Sequence, residues 1–245
     1  MSSSEREAVG GASPLLVAAA LARELAPLGR EPLADMALIE TGEGRLNAER
    51  AVRSWLDRRR ARAVLCVGFG GALSASLKVG DLVIAREARG VDGGGESFVA
   101  SAALLAAARQ VRIEGLRFGT AITVDEIACE ANAKRQVARL LAKGEVGCVD
   151  MESSAVARLC AERGLPFLIA RSITDLLDED LPIDFNRCRT SDGRVNARRV
   201  IRAALARPQS LKGLLELKRR ANHCAERLAE FVRQLLPLIK QGDLR

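Results

Sequence analysis

Short apolar runs recur along the chain at residues 14–20, 35–40, 63–67, 81–87, 116–123, 146–150 and 167–173, followed by turn-forming residues. Apolar character that is continuous rather than alternating is what a strand covered on both faces requires. Residues 21–28, 47–60, 99–110, 132–143 and 152–163 lie between these runs and have the spacing of helices. Alternating strands and helices predict a layered α/β domain. Gly164 reads as a helix stop, with Pro166 opening the next strand, and Gly80-Asp81 reads as a turn before a strand. The chain shows no internal repeat and no linker rich in Pro or Gly. Residues 13–245 are therefore expected to form one domain behind a disordered tail at 1–12. The pattern is compatible with a parallel or a mixed sheet.

The pattern changes near the C-terminus. Leu214, Leu217, Ala221, Cys224, Leu228, Phe231, Leu235 and Leu238 recur at spacings of three and four. That is one apolar stripe on an amphipathic helix at about 212–239. Pro208 and Gly213 mark its start, and Pro237 falls in its last turn. Lys218, Arg219, Arg220, Arg227 and Arg233 occupy its other faces. The net charge of the chain is +7, yet from Arg187 onward 15 Lys/Arg stand against 5 Asp/Glu, so the remainder is slightly acidic. A basic amphipathic helix either packs on its domain with a solvated face or is drawn to an anionic membrane surface. Nucleic acid is not an expected partner, because Phe231 is the one aromatic after Phe185 and offers no stacking platform.

Composition narrows the chemistry. Hydrophobic residues at 48% and charged residues at 28% fit a soluble globular chain. Aromatics are 3% with no Tyr, so the core must be built from Ala, Leu and Val. No two of Cys66, Cys129, Cys148, Cys160, Cys188 and Cys224 lie close enough for a zinc knuckle or a CxxC pair. They read as reduced core residues of a cytosolic protein. His223 is the only histidine, which excludes a His-based triad. No metal and no cofactor are expected. Residues 15–22 are apolar, but Glu5, Arg6 and Glu7 precede them instead of a basic region. The run is also too short to span a bilayer, so a cytoplasmic location is expected.

Three segments carry candidate chemistry, two of them at strand ends, where ligands bind in open α/β sheets. Val67-Gly68-Phe69-Gly70-Gly71-Ala72 would let a ligand approach the backbone, or would simply be a tight turn. In Val149-Asp150-Met151-Glu152, Glu152 could hold a sugar diol or favour a helix N-terminus. Ile169-Ala170-Arg171-Ser172-Ile173-Thr174-Asp175 ends in a hydroxyl and a carboxylate, either functional or an N-cap.

In order and spacing over residues 14–185, these segments resemble the superfamily of purine/uridine phosphorylases and methylthioadenosine/S-adenosylhomocysteine nucleosidases. The resemblance implies a three-layer α/β/α nucleoside phosphorylase-like fold with a central mixed sheet. It implies cleavage of the N-glycosidic bond of a purine nucleoside by an assembly that is a homodimer or larger. Asp175 would protonate purine N7, so that the base leaves neutral. Glu152 would hold the ribose 2′- and 3′-hydroxyls, with Met151 packed on the sugar. Phe69, Gly70 and Gly71 would line the substrate, and Thr174 replaces the serine usual before the aspartate. Glu24 would activate water, although the same residue also reads as an exposed helix charge. The phosphate-binding arginine and hydroxyl of the phosphorylases would align with Cys66 and Phe69, neither of which can bind phosphate. Water is therefore the expected nucleophile, with Arg23, Arg86 and Arg89 as unaligned phosphate candidates.

Leu181-Pro182-Ile183-Asp184-Phe185-Asn186 and Arg207-Pro208 resemble the hopanoid-associated phosphorylase subgroup. That resemblance implies release of adenine from adenosylhopane, with Phe185 on the apolar 5′ side and peripheral contact with the inner membrane face. An ordinary methylthioadenosine or adenosylhomocysteine nucleosidase is the competing enzyme reading. A phosphate-dependent purine nucleoside phosphorylase is another alternative. A nucleoside-binding sensor is the non-enzyme alternative.

Overall fold

A computed structural model describes residues 13–30, 35–91, 96–190, 193–206 and 208–240; the expected tail at 1–12 lies outside them. The chain runs β1 (Leu15–Ala19), α1 (Ala22–Gly29), β2 (Met36–Glu40), α2 (Arg45–Leu56), β3 (Ala63–Ala72), β4 (Leu82–Gly90) and β5 (Ser97–Val99). It continues through α3 (Ala102–Ala108), β6 (Leu116–Thr123), α4 (Ala131–Ala138), β7 (Gly147–Asp150) and α5 (Ser153–Glu162). β8 (Phe167–Asp175), a 3-10 turn at Asn186–Cys188, α6 (Ala197–Ala206) and α7 (Ser210–Lys240) complete it.

The sheet is mixed, in the order β2-β1-β3-β7-β6-β4-β5. β8 lies parallel to β3 and antiparallel to β4, which closes β3, β7, β6, β4 and β8 into a ring. β1, which pairs parallel with both β2 and β3, and all of β8 are buried along their length. Continuous burial explains the apolar runs at 15–19 and 167–170. Two groups of helices cover the sheet: α1 and α3 pack against α7, and α2 packs against α5.

Four boundaries differ from the sequence pattern. β3 runs on through the glycines to Ala72, so they are strand rather than a loop after it, with a register shift between Gly70 and Gly71. Residues 97–99 form the short edge strand β5, and helix α3 starts only after Ser101, whose hydroxyl accepts from Leu104 N–H at 3.4 Å. α2 stops at Leu56 and α4 at Ala138, short of the expected ends. Helix α6 was not expected; it buries only Ala204 and so lacks a readable core stripe.

α7 buries Ala221, Cys224, Ala225, Leu228, Phe231, Val232, Leu235 and Ile239. Its arginines fasten it in place. Arg220 Nη1 donates to both carboxylate oxygens of Glu179 at 2.8 Å, and Arg227 Nε donates to Gly80 O at 3.3 Å. Arg233 Nη2 donates to Pro27 O at 2.7 Å. These three side chains therefore serve docking onto the domain, whereas Lys218 and Arg219 are exposed, the latter paired with Glu216. All six cysteines are buried and unpaired. No helix among the described residues is long and apolar enough to cross a membrane.

Candidate active site

The strand ends of β3, β7 and β8 and the first turn of α1 surround a cavity of about 230 Å³. Glu24, Phe69, Gly70, Gly71, Met151, Glu152, Thr174, Asp175 and Phe185 all line it. The nine residues expected to act on or bind the substrate thus meet in one place. A larger cavity of about 720 Å³ is lined by Arg45, Arg50, Arg158 and Arg189 but contains none of the three candidate carboxylates. Size therefore does not identify the site; converging titratable groups do.

Glu24 is buried, not an exposed helix charge. Its Oε2 accepts from Leu21 N–H at 2.8 Å, capping its own helix, and its Oε1 accepts from Phe69 N–H at 2.7 Å. Burial pushes its carboxyl above the usual range, while Arg171 and the two N–H groups pull it back. The backbone of the glycine segment is thus what holds Glu24 over the cavity.

Arg171 lies in the middle of β8 and is almost wholly buried. Its Nε donates to Asp150 Oδ2 at 2.6 Å and its Nη2 to Ser153 Oγ at 3.1 Å. Nη2 also stands 3.7 Å from Glu152 Oε2. Burial would lower its basicity, but the charges of Asp150, Glu152 and Glu24 hold it well above its ordinary value. Gly68 makes room for this arginine: a Cβ there would lie 2.1 Å from Arg171 Nη1 and 2.9 Å from Glu24 Oε1. Asp150 is anchored in turn by the Thr123 hydroxyl at 2.8 Å and by the Ser153 hydroxyl.

Glu152 occupies the N-cap position of α5, yet its side chain makes no capping bond. Oε1 instead accepts from Gly44 N–H at 2.8 Å, across from another loop. Burial pushes its carboxyl up to about 7, against the pull of Arg171 and with the push of Asp150 and Glu24. Asp175 ends β8 and likewise caps no helix. Its Oδ1 accepts from the Thr174 hydroxyl at 2.8 Å, and its Oδ2 from Lys134 Nζ at 2.7 Å. Burial raises its carboxyl above the ordinary value, and Lys134 opposes that rise.

Of the unaligned arginines, Arg23 reaches the exposed rim of the cavity. Arg86 donates to Phe118 O at 2.7 Å and Arg89 pairs with Glu87, both away from it. The sequence reading did not name Arg171 or Lys134 as site residues. Arg171 carried a signal, being the one charge inside an otherwise uncharged strand before Asp175.

A model of the phosphorylase superfamily matches residues 33–206. A 5′-methylthioadenosine/S-adenosylhomocysteine nucleosidase of Geobacillus kaustophilus is 30% identical over 175 residues, 65% of this chain and 74% of that protein. One from Exiguobacterium sp. is 28% identical over 169 residues, 61% and 71% of the two chains. Among solved structures, the Neisseria meningitidis 5′-methylthioadenosine/S-adenosylhomocysteine nucleosidase with methylthio-immucillin-A superposes with a TM-score of 0.70 at 20% identity, covering 91% of this chain and 98% of that one. The futalosine hydrolase of Helicobacter pylori gives 0.69 at 17% identity, with 92% and 97% covered. At these identities the two structures establish a shared fold, the one that the resemblance implied.

Proposed function

The chain belongs to the phosphorylase superfamily, and from that premise we propose that it is a purine nucleosidase that cleaves the N-glycosidic bond of an adenine nucleoside with water. The observation that carries this reading is the convergence of Asp175, Glu152 and Glu24 on one cavity. Asp175, a buried carboxyl with a raised proton affinity, gives a proton to purine N7 as the bond to C1′ stretches. Glu152 binds the sugar hydroxyls, and its charge favours the developing oxocarbenium ion. Glu24 takes the proton of the attacking water; burial raises its proton affinity, which suits a base, and the guanidinium of Arg171 opposes that rise. A phosphate dianion in the same place would face the Glu24 carboxylate, and Arg171 is already committed to Asp150 and Ser153. That charge balance favours water over phosphate.

For the 5′-group the reading is a lipid, as in adenosylhopane. A second cavity of about 370 Å³ adjoins the first at Asp175, Leu181 and Leu217, which leaves room beyond a simple nucleoside. Ser210, Gly213 and Leu217 of α7 line it. On α6 and the start of α7, Ile201, Leu205, Leu211 and Leu215 are exposed, alongside exposed Arg198, Arg199, Arg202 and Lys212. Apolar side chains among basic ones suit an anionic membrane surface. This patch, rather than the docked arginines of α7, would make the peripheral contact. Methylthioadenosine is the second reading, favoured by the relatives from Geobacillus and Exiguobacterium. Exposed Leu46 and half-buried Phe98 on the cavity of about 720 Å³ support a homo-oligomer.

The test is adenine release from adenosine, methylthioadenosine and a long-tailed 5′-alkyl adenosine, with and without phosphate, beside flotation on anionic liposomes. Phosphate-independent release is expected, with ribose or the corresponding 5′-substituted ribose as the sugar product and the highest kcat/KM for the long tail. Ribose-1-phosphate as product overturns the choice of water. Preference for methylthioadenosine without flotation overturns the lipid reading and leaves the nucleosidase.

A further inference from the structure

Glu152 is aimed by a backbone group from another part of the chain. Its Oε1 is taken by Gly44 N–H at 2.8 Å, which leaves Oε2, 3.7 Å from Arg171 Nη2, as the oxygen freer to accept a sugar hydroxyl. Gly44 ends the turn 41–44 between β2 and α2 and is the N-cap residue of α2. The start of this turn is tied to β1 and its end: Thr41 N–H donates to Ala19 O at 2.8 Å and Gly42 N–H to Ala20 O at 3.0 Å. Glu43 then stands between two glycines in the left-handed region, Gly42 at φ 82° and Gly44 at φ 88°. Glycine has the most backbone freedom of any residue, so the peptide joining Glu43 to Gly44 needs further restraints to keep its N–H on Glu152.

Two side chains supply them. Asn47 Nδ2 donates to Glu43 O, the carbonyl of that same peptide, at 2.8 Å. Glu43 Oε2 accepts from Val195 N–H at 2.7 Å. Val195 is held in turn by an antiparallel bridge to Arg189. Arg189 Nε donates to Gly193 O at 2.9 Å and Nη1 to Asp125 O at 3.0 Å, while Asn196 N–H donates to Cys188 O at 2.9 Å. The chain ahead of α6 is thus a strap across the turn, and Glu43 is its fastening.

We propose that Glu43 is a positioning residue of the sugar site: by fastening the turn to Val195 it keeps Gly44 N–H on Glu152 and so presents the Glu152 carboxylate to the ribose hydroxyls. This deepens the adenine-nucleoside reading above and rests on it. A binding group works only within about 0.5 Å of its productive place, and its own supports set that place. Glu152 makes no capping bond at the start of its helix, so Gly44 N–H is the backbone donor that fixes its side chain. Glu43 lines both the cavity of about 230 Å³ and that of about 720 Å³, and its charge lies near Glu24. The hydrogen bond to Val195 needs an acceptor oxygen and no charge, which separates the two effects.

The experiment compares kcat/KM for adenine release from methylthioadenosine and from its 3′-deoxy counterpart, with folding checked by circular dichroism. The ratio of the two is the ribose preference, and its change from wild type to variant cancels the intrinsic reactivity of the substrates. Glu43→Ala is expected to lower the preference about three- to tenfold, the scale of one hydrogen bond, and Asn47→Ala to do the same from the other side of the peptide. Glu43→Gln keeps an acceptor for Val195 N–H and is expected to keep most of the preference. In a Glu152→Ala background, Glu43→Ala should change the ratio no further. Either folded alanine variant decides the matter alone: an unchanged preference overturns the proposal. A Gln variant as impaired as the Ala variant, or a further loss in the Glu152→Ala background, overturns it too, because Glu43 then acts through its charge or on the substrate directly. A wild type that releases adenine without a ribose preference overturns the sugar role of Glu152, whereas one that releases no adenine overturns the nucleosidase reading, and the proposal falls with either.

Discussion

Replacing Asp175 by Asn tests both the acid and the ion pair beneath it. The amide has the same shape and can still face N7, but it has no acidic proton to give. The expected loss is about 10²–10⁴-fold in kcat/KM, or roughly 3 to 5 kcal/mol of transition-state stabilisation. The substitution also removes the counter-charge of a lysine that is wholly buried, with its Nζ 2.7 Å from Asp175 Oδ2. Breaking such a pair from one side costs about 3–5 kcal/mol. The lower end applies here, because the amide oxygen still accepts the Nζ hydrogen bond. For a chain of this size about 3 kcal/mol corresponds to a fall in Tm of roughly 6 to 12 °C. The double variant Asp175→Asn/Lys134→Met removes both charges, so it should regain most of that stability while staying inactive. The assays are adenine release at fixed temperature and thermal unfolding followed by circular dichroism. Near-normal turnover by Asp175→Asn would refute the acid assignment. A double variant no more stable than the single one would refute the argument from the ion pair.

Three further outcomes concern Glu152 and the core. With its carboxyl at about 7 in the folded protein, Glu152 accepts sugar hydroxyls fully only above that pH. The affinity of Asp175→Asn for methylthioadenosine should therefore rise between pH 6 and 8, level off, and become flat in a Glu152→Gln background; a rise that persists in that background counts against Glu152. The sign for stability is opposite: a folded value raised above the unfolded one means that Glu152 contributes less stability as pH climbs from about 4.5 towards 7, and the Gln variant should lose that decline. In the core, Phe231 of α7 is 0% exposed, and Phe231→Ala should cost about 3–5 kcal/mol in a urea titration by leaving a cavity. A cost below about 1 kcal/mol would mean that α7 is not held by its apolar stripe.

The strands were legible in the sequence because burial on both faces writes itself as apolar runs, as in 15–19 and 167–170. α7 was legible because one long stripe outweighs local noise. The glycine segment did not read as a continuation of its strand, since residues without side chains give no periodicity, and the reason for their smallness lies elsewhere in the chain. Gly68 has no Cβ because Arg171 and Glu24 come within 2.1 and 2.9 Å of where it would sit. β5 and α6 escaped for the opposite reason: their residues are mostly exposed, so no core face marks them.

The same logic separates the site residues that could be read from those that could not. Asp175, Glu152 and Glu24 could be named because the segments that carry them resemble those of the phosphorylase superfamily in order and spacing. Lys134 could not, because a lysine in a short helix that also carries Asn132, Arg135 and Gln136 has the pattern of a solvated face. Only the fold reveals that this helix turns its lysine inward, because Asp175 lies directly below it. A charge buried in a helix and a charge buried in a strand therefore differ in visibility. Arg171 breaks an apolar run and can be suspected, whereas Lys134 hides among residues of its own kind. The residues that tune an acid are harder to find from sequence than the acid itself, because their positions answer to a partner and not to a motif.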